Sequence, residues 1–178
     1  MVQRKTRRPE SAGEAGRAGG AVRRMPSRIL VIEGRFYDGI ADALIAGAIA
    51  EIEAQGSSYE RVTVPGALEI PQVLAAAVAS GLIPRGAPSS RFCGVVALGC
   101  VIRGETSHYD VVVGNSNHWL MKLAIEHKVP VGNGILTVDT EEQAMARARG
   151  GRDGKGGDAA RACLSLIDIA RQFQGLGA

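Results

Sequence analysis

The chain has 178 residues, of which 46% are hydrophobic and 22% are charged. That composition is typical of a globular protein and excludes the disordered, collagen-like and disulfide-rich classes, and the length suits a single domain. The net charge of +3 and the pI near 9.0 would fit a nucleic-acid-binding protein. However, residues 1–25 carry a charge of +5 and residues 26–178 carry −2. The excess positive charge belongs to the N-terminal segment, so we expect no nucleic-acid partner for the rest of the chain.

The N-terminal segment, residues 1–25, is rich in Gly, Arg and Ala and has almost no large apolar side chains. Such a segment buries too little surface to offset the entropy lost on folding, which predicts a disordered basic tail before one domain at 26–178. No apolar run approaches the ~18 residues of a membrane span, and the start lacks the apolar region of a secretory signal. The three cysteines, an odd number, do not indicate a disulfide framework. We therefore expect a cytoplasmic protein that has no membrane partner.

Strand-like and helix-like segments alternate from residue 28 onwards. Residues 28–33 form a short apolar run typical of a buried parallel strand, and residues 38–55 place an apolar side chain at every fourth position, which predicts a helix. The remaining predicted elements are strand 59–64, helix 68–79, loop 80–91, strand 92–102, helix 107–127, strand 129–138 and helices 140–149 and 158–173. This order predicts an α/β fold with a parallel sheet and helices on both faces. In such folds, ligands bind beyond the carboxyl ends of the strands.

One of these strand ends carries a candidate proton-transfer residue. Ser107 and Asp110 have the spacing of a capping box, which would place His108 in the first turn of the following helix. At that position the helix dipole favours the neutral imidazole, and the free backbone N–H groups can hold an anion. These features indicate a catalytic histidine, although a surface histidine at a helix start fits the same pattern.

A basic turn follows the predicted helix at 140–149, which Thr140 and Gln143 begin with a good capping box. Four cations in this region could hold a phosphate group or could form a solvated turn, and they are Arg147, Arg149, Arg152 and Lys155. A P-loop is excluded, because Arg149 stands where its first glycine would be and Lys155 is followed by glycine. The dinucleotide-binding fingerprint is also absent, since no Gly-x-Gly-x-x-Gly follows the first strand.

Three further side chains, Phe36, His118 and His127, leave more than one interpretation open. Phe36 follows the first strand and could either stack on a planar heterocycle or close the top of the core. His118 and His127 are nine positions apart on one predicted helix, which places them on opposite sides as structural or exposed residues. Because no paired His or Cys spacing typical of zinc occurs, we predict no metal site.

Six motifs follow one another along residues 29–173. They are Gly-Arg-Phe-Tyr-Asp at 34–38, Val-Pro-Gly-Ala-Leu-Glu-Ile-Pro at 64–71, Ala-Leu-Gly-Cys-Val-Ile-Arg-Gly-Glu-Thr-Ser-His-Tyr-Asp at 97–110, Asn-Gly-Ile-Leu-Thr at 133–137, Glu-Gln-Ala at 142–144 and Lys-Gly at 155–156. Taken in this order, they resemble the lumazine synthase family. The resemblance implies a three-layer, flavodoxin-like α/β fold with a four-stranded parallel sheet flanked by helices. It also implies condensation of 5-amino-6-(D-ribitylamino)uracil with 3,4-dihydroxy-2-butanone 4-phosphate. The product would be 6,7-dimethyl-8-ribityllumazine, in the penultimate step of riboflavin biosynthesis, formed without a metal or organic cofactor.

The resemblance further implies a role for individual residues. Those that would bind the pyrimidine ring, its edge and its ribityl chain are Phe36, Ala67, Leu68, Glu69, Cys100, Val101 and Ile102. Those that would meet the phosphate-bearing substrate at the helix start or transfer protons are Glu105, Thr106 and His108. Arg147 would bind the phosphate group, with Lys155 as a helper. In the family, the positions of Asn133, Arg147 and Lys155 reach a neighbouring subunit's site, so the resemblance implies a homo-oligomer.

Departures from the family pattern bear on these expectations. Asn133 stands where an aromatic residue is frequent, so one wall of the ring pocket would be more polar, and Tyr37 stands where many members have Asn. The turn at 150–154 differs from that of members that build icosahedral shells, so we expect a pentamer rather than a 60-subunit shell. Asn133 also supports an alternative, a non-catalytic lumazine- or flavin-binding homologue, whereas the intact His108, Arg147 and Lys155 argue against it.

Overall fold

The computed structural model describes residues 25–84 and 90–176. Strands and helices alternate as the sequence predicts, in the order β1 Arg28–Gly34, α1 Asp38–Ala54, β2 Ser58–Val64, a 3₁₀ turn Ala67–Glu69, α2 Ile70–Ala79, β3 Gly94–Ile102, α3 His108–Glu126, β4 Val131–Val138, α4 Glu141–Ala148, a second 3₁₀ turn Gly151–Asp153 and α5 Lys155–Leu176. The predicted disordered tail lies outside the described residues except for Met25, as do residues 85–89 of the predicted loop.

The four strands form one parallel sheet in the order β2-β1-β3-β4. Helices α1, α4 and α5 cover one face of the sheet, and α2 and α3 cover the other. The predicted three-layer α/β architecture with a four-stranded parallel sheet is therefore confirmed. None of the helices within the described ranges combines the length and the apolarity that are needed to cross a membrane.

The apolar run of β1 explains why both faces of the sheet are covered. Ile29 and Val31 point into the core beneath α1 and α5, whereas Leu30 and Ile32 point into the core beneath α2 and α3. All four side chains are buried. A strand that is apolar on both faces gains stability only when helices cover both sides, which is the usual situation in parallel sheets.

The last helix begins earlier than the sequence predicts. The spacing predicts a helix over 158–173, but α5 starts at Lys155 and includes Gly156 and Gly157 in its first turn. A Cβ atom on Gly156 would lie 2.0 Å from the carbonyl oxygen of Leu44 in α1, so glycine permits the close approach of the two helices. Because glycine has a low helix propensity, the local sequence pattern does not predict this first turn of α5. In the folded chain, the packing of α5 against α1 outweighs the low propensity.

A buried carboxylate joins α1 to the C-terminal part of the chain. Glu51 is fully buried, and its side chain accepts hydrogen bonds from Arg152 at 2.8 Å, Gln55 at 2.9 Å and Arg161 at 3.3 Å. Burial alone would raise the pKa of Glu51, but the hydrogen bonds from Arg152 and Gln55 and the charges of Arg161 and Arg152 lower the pKa below its usual value. The carboxylate therefore stays charged and holds the turn Gly151–Asp153 and the start of α5 against α1.

Replacing Glu51 by Gln tests this contact. The two arginines lose a charged acceptor, so we expect the free energy of unfolding in urea to fall by about 1–3 kcal/mol at pH 7. Glu53 is an exposed carboxylate on the same helix. The matched control, Glu53→Gln, should change the unfolding free energy by no more than about 0.5 kcal/mol. Equal losses in both variants would contradict the role of Glu51.

The same variant predicts a dependence on pH. Because the folded-state pKa of Glu51 is lowered, its contribution to stability is present above the pKa of an unfolded glutamate and is lost as the pH falls through the folded-state value. The stability difference between the wild type and Glu51→Gln should therefore shrink in acid, as measured by urea unfolding at a series of pH values. A difference that persists unchanged at about pH 2 would be inconsistent with this titration.

Candidate active site

A cavity of about 360 Å³ opens at the edge of the sheet where β1, β2 and β3 end. Its walls come from the loops after these strands and from the first turns of α3, and the lining residues are Phe36, Tyr37, Pro65, Gly66, Ala67, Leu68, Glu69, Cys100, Val101, Ile102, Gly104, Thr106, His108, Tyr109 and Val112. The cavity lies at the carboxyl edge of the sheet, where parallel α/β folds bind their ligands.

A close backbone contact brings the first two walls together. A Cβ atom on Gly34 would lie 2.9 Å from both the carbonyl carbon and the carbonyl oxygen of Gly66. Only the missing side chain of Gly34 lets the loop after β1 approach the loop after β2 this closely. As a result, Phe36 lines the same cavity as the segment Ala67–Glu69.

The first wall presents an aromatic side chain to solvent. Phe36 is 73% exposed, and its ring meets the Tyr37 ring edge-on with 5.0 Å between the centroids. Of the two sequence interpretations, this exposure fits a ring that is free to stack on a ligand and contradicts a Phe that closes the core. Tyr37 is half-buried, and its pKa is raised by burial first and then by the nearby Cys100 and Glu141.

The floor of the cavity is the end of β3. Cys100 and Val101 are buried, and they point into the cores on opposite faces of the sheet, while Ile102 is half-buried. The register of β3 with β1 ends at Leu98, whereas its register with β4 continues to Ile102, so this segment extends beyond the end of its pairing with β1. Burial and the charge of Glu141 raise the pKa of the Cys100 thiol to about 11.

The loop between β3 and α3 forms the third wall. Thr106 and His108 line the cavity, whereas Glu105 does not. The predicted capping box is wrong: Ser107 precedes the helix with φ −66° and ψ −2°, and its side chain makes no capping hydrogen bond. A capping residue needs an extended backbone, and Ser107 is already helical. The Oγ1 atom of Thr106 instead accepts a hydrogen bond of 3.4 Å from the His108 N–H.

Arg103 joins this loop to its surroundings. Its guanidinium carbon lies 4.0 Å above the centroid of the Tyr109 ring, which is a cation–π contact. Its Nε atom lies 3.3 Å from Asp139 at the end of β4, and its NH1 atom lies 3.6 Å from Asp110 in the first turn of α3. Asp110, which the sequence would place in a capping box, faces Arg103.

The sequence does not single out several of the cavity residues as binding candidates. Val112 lines the cavity one helical turn after His108, so the helical period of α3 could have indicated it. Tyr109 also lines the cavity but directly follows His108, and the helical period does not indicate it. Tyr37 and Pro65 lie directly beside predicted site residues. Tyr37 and Pro65 line the cavity because of the way their loops fold, and their residue types alone do not predict this.

Besides Glu105, three predicted site residues lie outside this cavity. Asn133 in β4 donates a hydrogen bond of 2.6 Å to Asn117 of α3. Arg147 is exposed on α4, where its NH1 atom donates to the Gln143 carbonyl at 3.1 Å, and the exposed Lys155 pairs with Asp158 at 2.8 Å. Arg147 and Lys155 therefore present their charges at the surface of the chain rather than in its own cavity.

The remaining histidines and possible metal ligands lie elsewhere. His118 and His127 are both exposed on or next to α3, in agreement with the sequence interpretation. Across residues 25–84 and 90–176, no three His, Cys, Asp or Glu side chains form a group that could hold a metal ion.

The chain is similar to known proteins over most of its length. A family model described as 6,7-dimethyl-8-ribityllumazine synthase matches residues 26–171. A protein of that name from Methylobacterium radiotolerans is 54% identical over 149 residues, which cover 84% of this chain and 85% of the relative. Proteins of the same name from Nitrobacter hamburgensis and Azorhizobium caulinodans are 51% and 52% identical, and the matched regions cover 83% and 82% of this chain and 88% of each relative.

The raised pKa of Cys100 predicts slow alkylation at this thiol. A shift from 9.0 to about 11 leaves about 100-fold less thiolate at pH 8, and only the thiolate reacts. Labelling with iodoacetamide, followed by mass spectrometry, should therefore modify Cys100 at least about 100-fold more slowly in the folded protein than in the protein unfolded in urea. Similar rates in the two states would contradict a buried, protonated thiol.

Proposed function

The chain belongs to the 6,7-dimethyl-8-ribityllumazine synthase family, and on this basis we propose that it is the transferase that condenses 5-amino-6-(D-ribitylamino)uracil with 3,4-dihydroxy-2-butanone 4-phosphate. The reaction yields 6,7-dimethyl-8-ribityllumazine, phosphate and water in riboflavin biosynthesis. The observation that carries this proposal is the cavity at the carboxyl edge of the sheet. Its lining combines Phe36, the segments Ala67–Glu69 and Cys100–Ile102, Thr106 and His108.

The pyrimidine substrate needs a flat apolar surface and a polar edge. Phe36 presents an exposed ring on which the pyrimidine would stack. The backbone of Cys100, Val101 and Ile102 would read the edge of the ring, because backbone N–H and C=O groups give fixed hydrogen-bonding positions at a strand end. The segment Ala67–Glu69 would hold the ribityl chain, with the Glu69 carboxylate as an acceptor for its hydroxyl groups.

The reaction requires several proton transfers at one place. The 5-amino group attacks the ketone, water leaves to give an imine, phosphate is eliminated, and the ribitylamino nitrogen closes the ring with loss of a second water. These steps take protons from nitrogen or carbon and give protons to the carbonyl oxygen in the first addition and to the departing oxygens afterwards. His108 would perform these transfers, because its imidazole lines the cavity and an imidazole can both accept a proton and return it.

The phosphate-bearing substrate needs a cationic or N–H-rich site. The backbone N–H groups at the start of α3, together with Glu105 and Thr106, would meet this substrate next to His108. Arg147 would bind the phosphate group, with Lys155 as a helper. The exposure of both cations outside their own cavity supports the proposal that they, with Asn133, complete the site of a neighbouring copy.

We propose a homo-oligomer on the same grounds, with five copies rather than sixty because the turn at 150–154 departs from that of shell-forming members. Sedimentation of the purified full chain should give the mass of a pentamer, and the mass of a monomer or of a shell would contradict this assembly.

A cytoplasmic location is likewise our proposal, and it is supported by free thiols at Cys93, Cys100 and Cys163. Residues 1–25 would then be a tail attached to a catalytic domain at 26–178.

Mixing the purified protein with both substrates tests the function directly. Formation of the product is followed by its lumazine fluorescence, with each substrate omitted in turn as a control. The second candidate, a non-catalytic lumazine- or flavin-binding homologue, has Asn133 as its support, since the more polar wall weakens ring stacking. Binding of the lumazine without any turnover of the two substrates would favour that second candidate and overturn the first.

Replacing His108 by Ala should lower kcat by about 10- to 10⁴-fold, because the proton transfers lose their positioned acid and base. Steady-state kinetics with both substrates measure the effect. The matched control is His118→Ala, which removes an exposed histidine from the same helix outside the cavity and should keep kcat within about twofold. An unchanged rate in His108→Ala would remove this residue from the mechanism.

Replacing Arg147 by Ala should raise KM for the butanone phosphate by about 10- to 100-fold, since the phosphate loses a charge-assisted hydrogen bond of about 1.5–3 kcal/mol. KM for the pyrimidine should stay within about twofold of the wild-type value. Lys122→Ala, which removes an exposed cation from α3, serves as the control for a general loss of positive charge. An unaltered response to the phosphate substrate in Arg147→Ala would refute the assignment.

A further inference from the structure

The Phe36 side chain is 73% exposed, and it lies on a loop of three residues, Arg35 to Tyr37, between β1 and α1. An exposed ring that moves freely must be ordered whenever a ligand stacks on it, and the entropy lost weakens binding. A stacking surface is effective only when the backbone beneath it is already fixed.

Arg35 is bound to carboxylates in two elements. Its Nε atom lies 2.9 Å from Asp38 and its NH2 atom lies 2.8 Å from Asp42, both on α1, while its NH1 atom lies 3.6 Å from Glu33 on β1. Its backbone N–H also donates to the Val64 carbonyl of β2 at 2.9 Å. The Arg35 side chain is 22% exposed.

Glu33 anchors this cluster to the sheet. Its side chain is 1% exposed and accepts hydrogen bonds from Arg61 and, at 2.9 Å, from Thr63, both on β2. The Arg35 side chain thus contacts β1 and α1 directly and is linked to β2 through Glu33, in addition to the direct backbone hydrogen bond to Val64. A guanidinium suits this position because its planar fork can reach several carboxylates at once without changing conformation.

We infer that Arg35 is a positioning residue that fixes the backbone beneath Phe36 and thereby preorganises the stacking surface for the pyrimidine ring. The inference rests on the proposed function, in which Phe36 stacks on that ring. Because the phosphate-binding groups proposed above lie on other segments, Arg35 acts on the ring and not on the phosphate. Its removal should therefore weaken ring binding selectively.

The first experiment compares ring binding with use of the phosphate substrate. In Arg35→Gln, the Kd for 6,7-dimethyl-8-ribityllumazine, measured by fluorescence titration of the full chain, should rise by about 10-fold, whereas KM for the butanone phosphate should stay within about twofold. Arg35→Lys keeps the charge without the fork and should recover part of the loss. The matched control is Arg28→Gln, which breaks an ion pair between Arg28 and Glu60 on the same two strands at their other end. The control should bind as the wild type does.

The second experiment separates positioning from a general loss of structure. If Arg35 acts through Phe36, adding Arg35→Gln to Phe36→Leu should raise Kd by less than about twofold beyond the value for Phe36→Leu alone. Additive losses, or an unchanged Kd in Arg35→Gln, would overturn the inference. Should Arg35→Gln fail to fold, Asp42→Asn removes the 2.8 Å pair alone and must show the same selective loss, or the inference fails.

Hydrogen exchange distinguishes a failure of this inference from a failure of the proposed function. Amides in the segment 34–38 should exchange about 10-fold faster in Arg35→Gln than in the wild type, and no faster in Arg28→Gln. A wild-type protein that neither forms nor binds the lumazine would refute the proposed function, while faster exchange would still support fixation of the loop. Unchanged exchange in an active protein would refute the positioning role alone.

Discussion

The parallel pairing of β1 with both β2 and β3 is the constraint on which the candidate site depends. The register sets Gly34 opposite Val64 and Glu33 opposite Leu98, so the strands run out at the same edge of the sheet. Each strand end then delivers one wall of the cavity. A slip of one residue would turn every strand side chain to the opposite face, and the apolar cores on both faces hold the register against it. The burial of apolar side chains therefore fixes the positions of the polar groups in the candidate site.

Charged groups act at the junctions of this framework. Two buried carboxylates, Glu33 and Glu51, lie where β1 approaches its turn and where α1 meets the C-terminal segment. Each is held by a pair of arginines, Arg35 and Arg61 for the first and Arg152 and Arg161 for the second. Since a buried charge is tolerated only with such partners, these clusters specify how neighbouring elements meet. The bulk charge of the chain gives no indication of them.

Local patterns in the sequence predicted the order and type of the elements, because a buried parallel strand and a helix packed on a sheet each have a distinct apolar spacing. Local patterns do not predict the backbone conformation correctly where two segments meet. The capping box at Ser107 is wrong because the turn before α3 is already helical, and the start of α5 was placed too late because Gly156 packs against Leu44. In both cases a neighbouring segment, which a local pattern does not contain, sets the backbone conformation.

By itself, the sequence determined the fold class, the family and the segments that line the cavity, since strand ends in a parallel sheet share one edge whatever the details of packing. Only the tertiary structure decided which members of those segments face the cavity. Thr106 and His108 line it while Glu105 does not, and Tyr109 and Val112 join them because α3 turns them inward. The roles of these residues in binding and catalysis stay predictions. Which way a side chain points at the site depends on how the loops pack on one another, and residue type alone does not determine that packing.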